Sequence, residues 1–545
     1  MFPLSGSRRT SVALVGLLMV FAFFWQTRAM AATPLDYAMP FARQSDDGNP
    51  KGIHLVNSAN FAQRAALVPF SVDLGAATTF RKGRVQGASI LDVRPHTLVY
   101  ARSGRWYRAN LRGGLSPAPE RFSREAEATE ICSTSVIDMD ASSEEGAWLF
   151  YALPPEPDGC DLPGQQIRAL QIFGPASQVP VNLNADSPAI APLYAANGRL
   201  RGFYVLFNQR LRFYNRNLTA STVVAAGVND FELLGADGFG GALLLVNDLV
   251  RRAHADGTLY PGALKRVSAG FSLQDLYLAN GEVFLHEVAT NPFATIISRF
   301  FRVPLDQSAS ATFMHGVRTR AFPAGLSGDE LIYSTGGGFS FVDATPTSDA
   351  DVVALPLNAP ALPARRLYRL RDAVSMLDII SVSDGRVFFN RLHVEQGGQA
   401  PVSRGFRAAI DGSGVRNEGR GSRWLGGLAP QSHLLRGPGF EINPAPISTL
   451  VLLQGASAGS EGIETGGRLL AVDPASLART VLGGVTAQTY FGPGLFRQFS
   501  PSFISFTLEL NGMGDIDTDV FALNPNSGDM RRLSNTSTAN EFPVF

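Results

Sequence analysis

The sequence is poor in charged residues and almost lacks lysine. Asp, Glu, Lys and Arg together make up 17% of 545 residues, and the only lysines are Lys51, Lys82 and Lys265. The formal net charge at pH 7 is +0. Without a net charge, no long-range field would draw nucleic acid or an anionic membrane surface toward the protein. We therefore expect no nucleic-acid partner.

Cysteine is also scarce, since only Cys132 and Cys160 occur. Two cysteines cannot form a structural zinc site without help from histidine or carboxylate, and no histidine lies near either one. In an oxidising compartment the two could pair, and by loop entropy the bond would stabilise the fold by about 3 kcal/mol. We expect this disulfide, with two separate thiols as the alternative.

Long apolar runs are absent beyond the N-terminus. Arg8 and Arg9 precede an uncharged stretch from Val12 to Trp25, and Ala29-Met30-Ala31 fits a small-x-small cleavage pattern. These features predict a signal peptide over residues 1–31 and a periplasmic or secreted protein without an integral membrane segment after cleavage. An uncleaved anchor is the alternative, because Arg28 follows the apolar run.

Helical periodicity is missing as well, and what replaces it is a repeated hairpin phrase. An apolar burst, a polar turn and a second burst recur, as in Leu98–Tyr100 with Trp106–Tyr107. With 55 Gly and 34 Pro, the composition favours many short strands joined by turns. The first bursts of nine such phrases begin near Leu98, Trp148, Phe203, Ala242, Val283, Leu331, Val387, Leu450 and Ile504.

This spacing of about 40 to 60 residues is typical of propeller blades. The sequence predicts an all-β fold, a β-propeller of eight blades with seven as the alternative. We expect residues 32–60 to be a leader or loop and residues 61–545 to be one propeller domain. An N-terminal strand that completes the last blade would account for residues 65–70, which have no matching phrase.

The C-terminal stretch from Asp519 to Asn535 pairs a strand with an Asn/Asp-rich turn containing Gly and then an Arg-Arg-Leu-Ser-Asn strand. This stretch resembles the repeat of TolB-type β-propellers, and residues 251–258 are a looser echo of it. The resemblance supports the fold and implies a periplasmic protein-scaffolding role. The proline-serine-tryptophan strand that usually follows the repeat is absent.

One acidic segment suggests a cation site. Asp515, Asp517 and Asp519 occupy alternate positions, so their carboxylates could converge on calcium. The EF-hand pattern is not met, because Val520 follows the third acid. A generic acidic hairpin turn is the alternative, and otherwise no cofactor is expected.

Signs of catalysis are weak, so no catalytic or cofactor-binding residue is assigned. Ser457 lies in a Gly-x-Ser-x-Gly segment, but the last histidine, His433, precedes it, so the order of an α/β-hydrolase triad cannot be met. The seven histidines form no local metal motif. His286, His315 and His393 could meet at a central channel only if the fold brings them together.

From these observations we expect an exported, non-catalytic propeller that binds a protein or an envelope macromolecule as a scaffold. The alternative is a propeller hydrolase or lyase with a metal in its central channel. Whether the protein is an enzyme stays open at this point, although the missing reactive clusters favour a binding protein.

Overall fold

The computed structural model describes residues 38–543 except for a set of gaps. These are 46–49, 58–63, 70–77, 82–83, 87–88, 93–94, 103–104, 112–114, 116, 124–132, 139–146, 155–165, 176–177, 184–189, 196–198, 292–293, 336–349, 359–361, 371–374, 394–403, 428–448, 456, 459–463, 466, 485–496, 501–502, 511–516, 524–529 and 533–538. The described residues form strands and turns, with a single residue in 3-10 conformation at Leu111. None of them lies in a helix long and apolar enough to cross a membrane.

The strands, in chain order, are β1 (Ala38–Ser45), β2 (Pro50–Asn57), β3 (Arg64–Pro69), β4 (Thr78–Arg81), β5 (Arg84–Gln86), β6 (Ser89–Asp92), β7 (Pro95–Arg102), β8 (Arg105–Asn110), β9 (Glu120–Arg121), β10 (Ser133–Asp138), β11 (Ala147–Leu153), β12 (Gln166–Gln171), β13 (Val181–Asn182), β14 (Ile190–Tyr194), β15 (Leu200–Phe207), β16 (Arg210–Asn215), β17 (Ser221–Ala226), β18 (Phe231–Ala236), β19 (Ala242–Val246), β20 (Leu249–Ala253), β21 (Lys265–Arg266) and β22 (Phe271–Ala279). The remaining strands are β23 (Glu282–Ala289), β24 (Ser298–Pro304), β25 (Thr312–Val317), β26 (Ala321–Ser327), β27 (Glu330–Thr335), β28 (Ala350–Pro356), β29 (Arg365–Leu370), β30 (Ser375–Ser383), β31 (Arg386–His393), β32 (Arg404–Ala409), β33 (Arg416–Asn417), β34 (Arg423–Gly427), β35 (Leu450–Gln454), β36 (Ser457–Ala458), β37 (Glu464–Thr465), β38 (Arg468–Val472), β39 (Arg479–Gly484), β40 (Arg497–Ser500), β41 (Phe503–Leu510), β42 (Asp517–Leu523), β43 (Met530–Arg532) and β44 (Ala539–Pro543).

Ten four-stranded antiparallel sheets account for most of these strands. In hydrogen-bonding order they are sheet 1 (β44-β1-β2-β3), sheet 2 (β4-β7-β8-β9), sheet 3 (β10 to β13), sheet 4 (β14 to β17), sheet 5 (β18 to β21), sheet 6 (β22 to β25), sheet 7 (β26 to β29), sheet 8 (β30 to β33), sheet 9 (β34-β35-β38-β39) and sheet 10 (β40 to β43). Two short hairpins, β5-β6 and β36-β37, lie in connections within sheets 2 and 9.

The sheets are arranged radially as a β-propeller, which confirms the predicted fold class. The first strands of neighbouring sheets contact one another, as β4 does β10, β14 does β18, and β30 does both β26 and β34. Buried apolar clusters join each consecutive pair of sheets from sheet 1 to sheet 9. The cluster between sheets 4 and 5, for example, packs Tyr204 and Leu211 against Phe231 and Leu244.

Sheet 1 joins the two ends of the described chain. Its strand β44 pairs with β1, with Phe41 opposite Pro543 and Ser45 opposite Ala539. Residues 38–57 therefore supply two strands, which corrects the prediction of a leader or loop over residues 32–60. The prediction was wrong here because apolar residues of this segment alternate with polar ones, as in Ile53-His54-Leu55, and form no burst.

The number of sheets also exceeds the eight blades expected. Each of the nine phrases marks the second strand of one sheet, from β7 in sheet 2 to β41 in sheet 10. Second strands are covered on both faces, so they are nearly continuous in apolar residues, as β11 shows. The tenth sheet is sheet 1, whose strands come from both ends of the chain.

Hydrogen bonds from side chains to backbone carbonyls connect neighbouring sheets at equivalent positions. In several interfaces a side chain of one sheet donates to a carbonyl just after the third strand of the next. Examples are Arg108 Nη1 to Ile172 O at 2.5 Å, Trp148 Nε1 to Arg216 O at 2.9 Å, and Arg365 Nη1 to Ile410 O at 2.6 Å. These bonds satisfy carbonyls that the strand ladders leave free.

Antiparallel strand order divides the turns between the two ends of the propeller. We call the end that carries the turns between first and second strands and between third and fourth strands the first face. The second face carries the turns between second and third strands and the connections from each sheet to the next.

Candidate binding surface

The turn between β18 and β19 presents an exposed phenylalanine on the first face. Phe239 is 71% exposed, the most exposed of the large apolar side chains described. It stands between Gly238 and Gly240, whose φ angles of 79° and 91° suit glycine. A Cβ at Gly241 would lie 2.1 Å from the carbonyl oxygen of Ala253, so this position accepts only glycine without movement of the backbone.

A buried carboxylate holds this turn rigidly. Asp237 is 1% exposed, and its Oδ1 accepts hydrogen bonds from the backbone N–H groups of Phe239 and Gly241, both at 2.8 Å. Its Oδ2 accepts from Arg252 Nε at 2.7 Å. Because both carboxylate oxygens accept hydrogen bonds, the turn is held in one conformation. That conformation exposes the Phe239 ring to solvent.

Arg252 forms the base beneath the phenylalanine. Its guanidinium lies 5.5 Å from the ring centre of Phe239 and 4.7 Å from that of Tyr260. Its Nη1 donates to Leu305 O of sheet 6 at 3.3 Å, so this arginine connects sheets 5 and 6. His254 stacks on Tyr260 with ring centres 3.5 Å apart. We call Phe239, Arg252, Tyr260 and His254 the Phe239 surface.

Exposed carboxylates flank the Phe239 surface. Asp256 lies in the following turn of sheet 5, and Asp306 follows Leu305 in sheet 6. Hydrogen bonds from Thr258 hold the pKa of Asp256 below its usual range, and hydrogen bonds from Ser308 do the same for the pKa of Asp306. Nearby, Arg201 Nη1 donates to Ala255 O at 3.3 Å.

Other exposed apolar side chains lie in turns of the same face. They are Phe173 and Val179 in sheet 3, Leu362 in sheet 7 and Val415 in sheet 8. Phe173 lies 5.7 Å from the guanidinium of Arg108, so a second exposed ring also rests on a half-buried arginine. Among the turns described, the second face has no exposed large apolar side chain of this kind.

A second candidate is a polar row across sheet 6. Asp275, His286, Phe300 and His315 are opposite one another on successive strands and therefore share one face of the sheet. His286 Nδ1 lies 2.7 Å from Asp275 Oδ2. Because an ionised carboxylate only accepts, Nδ1 donates in this bond, and in the neutral imidazole Nε2 then carries the free lone pair.

The environment of the two histidines argues against a shared metal. His286 is 1% exposed and its Nε2 has no hydrogen-bond partner among the described residues. Phe300 lies between the rings, with its centre 4.7 Å from that of His286 and 6.5 Å from that of His315. Burial lowers the pKa of His315. His393 ends β31 in sheet 8, and its side chain is not described.

The residues expected to form the disulfide and the calcium site lie mostly outside the described residues. Cys132, Cys160 and Asp515 are outside the described residues. Asp517 and Asp519 belong to β42, opposite Leu510 and Leu508, so they share a face of a strand and do not lie in a loop. The disulfide and the calcium site stay predictions. Within the described ranges, no three His, Cys, Asp or Glu side chains group as a metal site would require.

Sequence reasoning missed Phe239. The available signal was a lone aromatic residue in the segment Asp-Gly-Phe-Gly-Gly, residues 237–241. Such a segment is recognisable as a turn, but burial of its aspartate and exposure of its phenylalanine depend on Arg252, which lies on another strand.

Comparison with known proteins adds little to this description. No protein-family model matches the sequence, and no curated protein matches it. Solved structures do share its general arrangement. The oligogalacturonate lyase of Vibrio parahaemolyticus is 10% identical, with a TM-score of 0.34, over 73% of this chain and 100% of the lyase.

Two further structures come from Porphyromonas gingivalis. Dipeptidyl peptidase 4 is 9% identical with a TM-score of 0.39, over 80% of this chain and 65% of the peptidase. PorZ, a surface component of the type-IX secretion system, is 12% identical with a TM-score of 0.25, over 86% of this chain and 68% of PorZ. Likenesses this distant carry no argument about activity.

Proposed function

We propose that this propeller binds a macromolecular partner on its first face, with Phe239 as the central contact. One observation carries the proposal: a buried carboxylate and an arginine hold an aromatic ring in a rigid turn that exposes it to solvent. A ring fixed in this way loses little conformational entropy on binding. Aromatic residues and arginine are also enriched at the centres of protein interfaces.

The partner in this proposal is a protein or envelope macromolecule met after export. The predicted signal peptide supports the exported location, and the TolB-like turn pattern supports a scaffolding role. In support, the described ends of the C-terminal stretch belong to the third and fourth strands of sheet 10, and residues 251–258 lead from the third strand of sheet 5 toward its fourth.

The test is photo-cross-linking in the parent cells. A photoreactive phenylalanine analogue replaces Phe239 in one variant and Phe313 in a matched control. Phe313 is 51% exposed but lies on β25, the outer strand of sheet 6. We expect a discrete cross-linked product from position 239 and none from position 313. Equal products from both positions, or no product from position 239, would contradict the proposal.

A second candidate function is hydrolysis or elimination with His286 as general base. The Asp275–His286 hydrogen bond favours it, because in the neutral imidazole this bond puts the lone pair on Nε2, where a base needs it. In the alternative expected from the sequence, this reaction would use a metal held in the central channel. Its test is a panel of chromogenic glycosides, esters and peptides assayed with wild type and His286→Gln, together with elemental analysis of the purified protein. Turnover lost in the variant would support catalysis, and absence of turnover in wild type would reject it.

A further inference from the structure

We propose that the partner of the Phe239 surface is a basic polypeptide segment, one that places arginine or lysine beside an apolar side chain. This inference rests on the proposed function and deepens it. The apolar contact comes from Phe239, and the sign of the partner's charge follows from the groups around it.

The turns of the first face carry a clear excess of negative charge. The described turns of this face expose six aspartates. These turns contain two arginines, Arg199 and Arg216, and no lysine. The six are Asp256, Asp306, Asp329, Asp384, Asp411 and Asp473. Asp237 is not counted, because it is buried and paired with Arg252.

Those turns of the second face that the structure describes show no such excess. Its described turns expose Asp230 and Asp248 beside Arg318, Arg320 and Arg420. Asp248 is further paired with Arg266 at 2.7 Å. Among the described turns, exposed acidic side chains are therefore concentrated on the first face.

Four of the aspartates keep their charge into the acidic range. Hydrogen bonds from the residues that follow each one hold the pKa of Asp256, Asp306, Asp411 and Asp473 below the usual range. A basic segment would therefore meet ionised carboxylates at neutral pH.

Charge complementarity also argues against other occupants. A second copy of the chain would bring an equally acidic first face, so contact between two first faces is disfavoured. An anionic membrane surface has the wrong sign. Nucleic acid is disfavoured for the same reason.

The experiment measures the fluorescence anisotropy of two labelled peptides with the full mature protein. One peptide alternates arginine with leucine, and the other alternates glutamate with leucine. We expect the arginine peptide to bind, and to bind less tightly at about 300 mM than at about 50 mM NaCl, because salt screens exposed charges. Equal binding of the glutamate peptide would overturn the proposal.

Variants that remove negative charge test which aspartates contribute to binding of the arginine peptide. Asp256, Asp306, Asp411 and Asp473 are changed together to Asn, which keeps an oxygen to accept the turn hydrogen bonds. We expect affinity for the arginine peptide to fall roughly tenfold. The matched control changes Asp230 and Asp248 of the second face to Asn and should leave affinity unchanged. Equal loss in both variants, or in neither, would overturn the proposal.

Failure of this inference can be told apart from failure of the proposed function. If the cross-linker at position 239 captures a partner in both wild type and the four-fold Asn variant equally well, only the basic character is rejected. If it captures nothing in either, the proposed function itself fails.

Discussion

The two faces of the propeller are built from the same kinds of turn but differ in what they expose. The first face displays Phe239 on a pair formed by the buried Asp237 and the half-buried Arg252, and the exposed Asp256 and Asp306 flank it. On the second face the Asp248–Arg266 pair has the same 2.7 Å separation, yet its side chains are 54% and 65% exposed. Identical distance thus coincides with different burial, and burial decides what an ion pair contributes.

Removal of Asp237 should produce the largest effect. Asp237→Ala leaves Arg252 Nε and two backbone N–H groups without their acceptor, so we expect a loss of about 3–5 kcal/mol in the free energy of unfolding. Asp248→Ala on the second face should cost less than about 1 kcal/mol. Denaturant unfolding of both variants measures the difference, and comparable losses would show that the faces do not differ in this way.

A smaller effect is expected from Gly241→Ala. The new Cβ would lie 2.1 Å from Ala253 O, so the turn must shift, at a cost of about 2–3 kcal/mol. Gly227 serves as the control on the second face, because its φ is 68° and a Cβ there would meet nothing within 4 Å. Gly227→Ala should cost about 1 kcal/mol. Thermal unfolding distinguishes steric overlap from backbone strain, and the reverse order would contradict the geometry of the turn.

The interface between sheets 6 and 7 belongs to neither face, and its contribution to the free energy of unfolding should depend on pH. Burial lowers the pKa of His315, so the unfolded chain binds a proton at higher pH than the folded chain does. Stability contributed here is complete above the ordinary histidine pKa of about 6.5 and declines as the pH falls below it.

His315→Gln should therefore reduce the loss of stability between about pH 7 and pH 5.5, by less than about 1 kcal/mol. Denaturant midpoints at the two pH values provide the measurement. The groups that face this ring include Tyr333 and Phe300. An unchanged pH response in the variant would assign the titration to another group.

The smallest change in stability is expected for Phe239→Ser. Since the ring is mostly exposed, the free energy of unfolding should change by no more than about 0.5 kcal/mol. Together with the cross-linking experiment, this result would separate a residue kept for binding from one kept for folding. A large destabilisation would instead mean that the ring stabilises the turn.

The architecture was accessible from the sequence because second strands are buried on both faces and third strands are partly buried. Trp148–Tyr151 and Ile167–Leu170 form β11 and β12, and Val387–Phe389 pairs with Phe406–Ala408 between β31 and β32. The edge strands were harder to recognise. The first and fourth strands are short or partly exposed, as β17 and β33 are, and they lack a continuous apolar run.

The binding surface was less accessible. Asp237, Arg252 and Leu305 are separated along the chain and meet only because sheets 5 and 6 stack. The candidates chosen from local spacing, such as His286 and His315, came to lie on one sheet face but on opposite sides of Phe300.

By itself the sequence determined that this protein is a repeated array of antiparallel strands, because apolar bursts at regular spacing must be buried between sheets. Tertiary structure alone decided how many sheets there are, how the two ends of the chain share sheet 1, and which turns lie side by side on each face. The physical reason is that burial and charge at a surface depend on neighbours brought together by stacking, and those neighbours are distant in sequence.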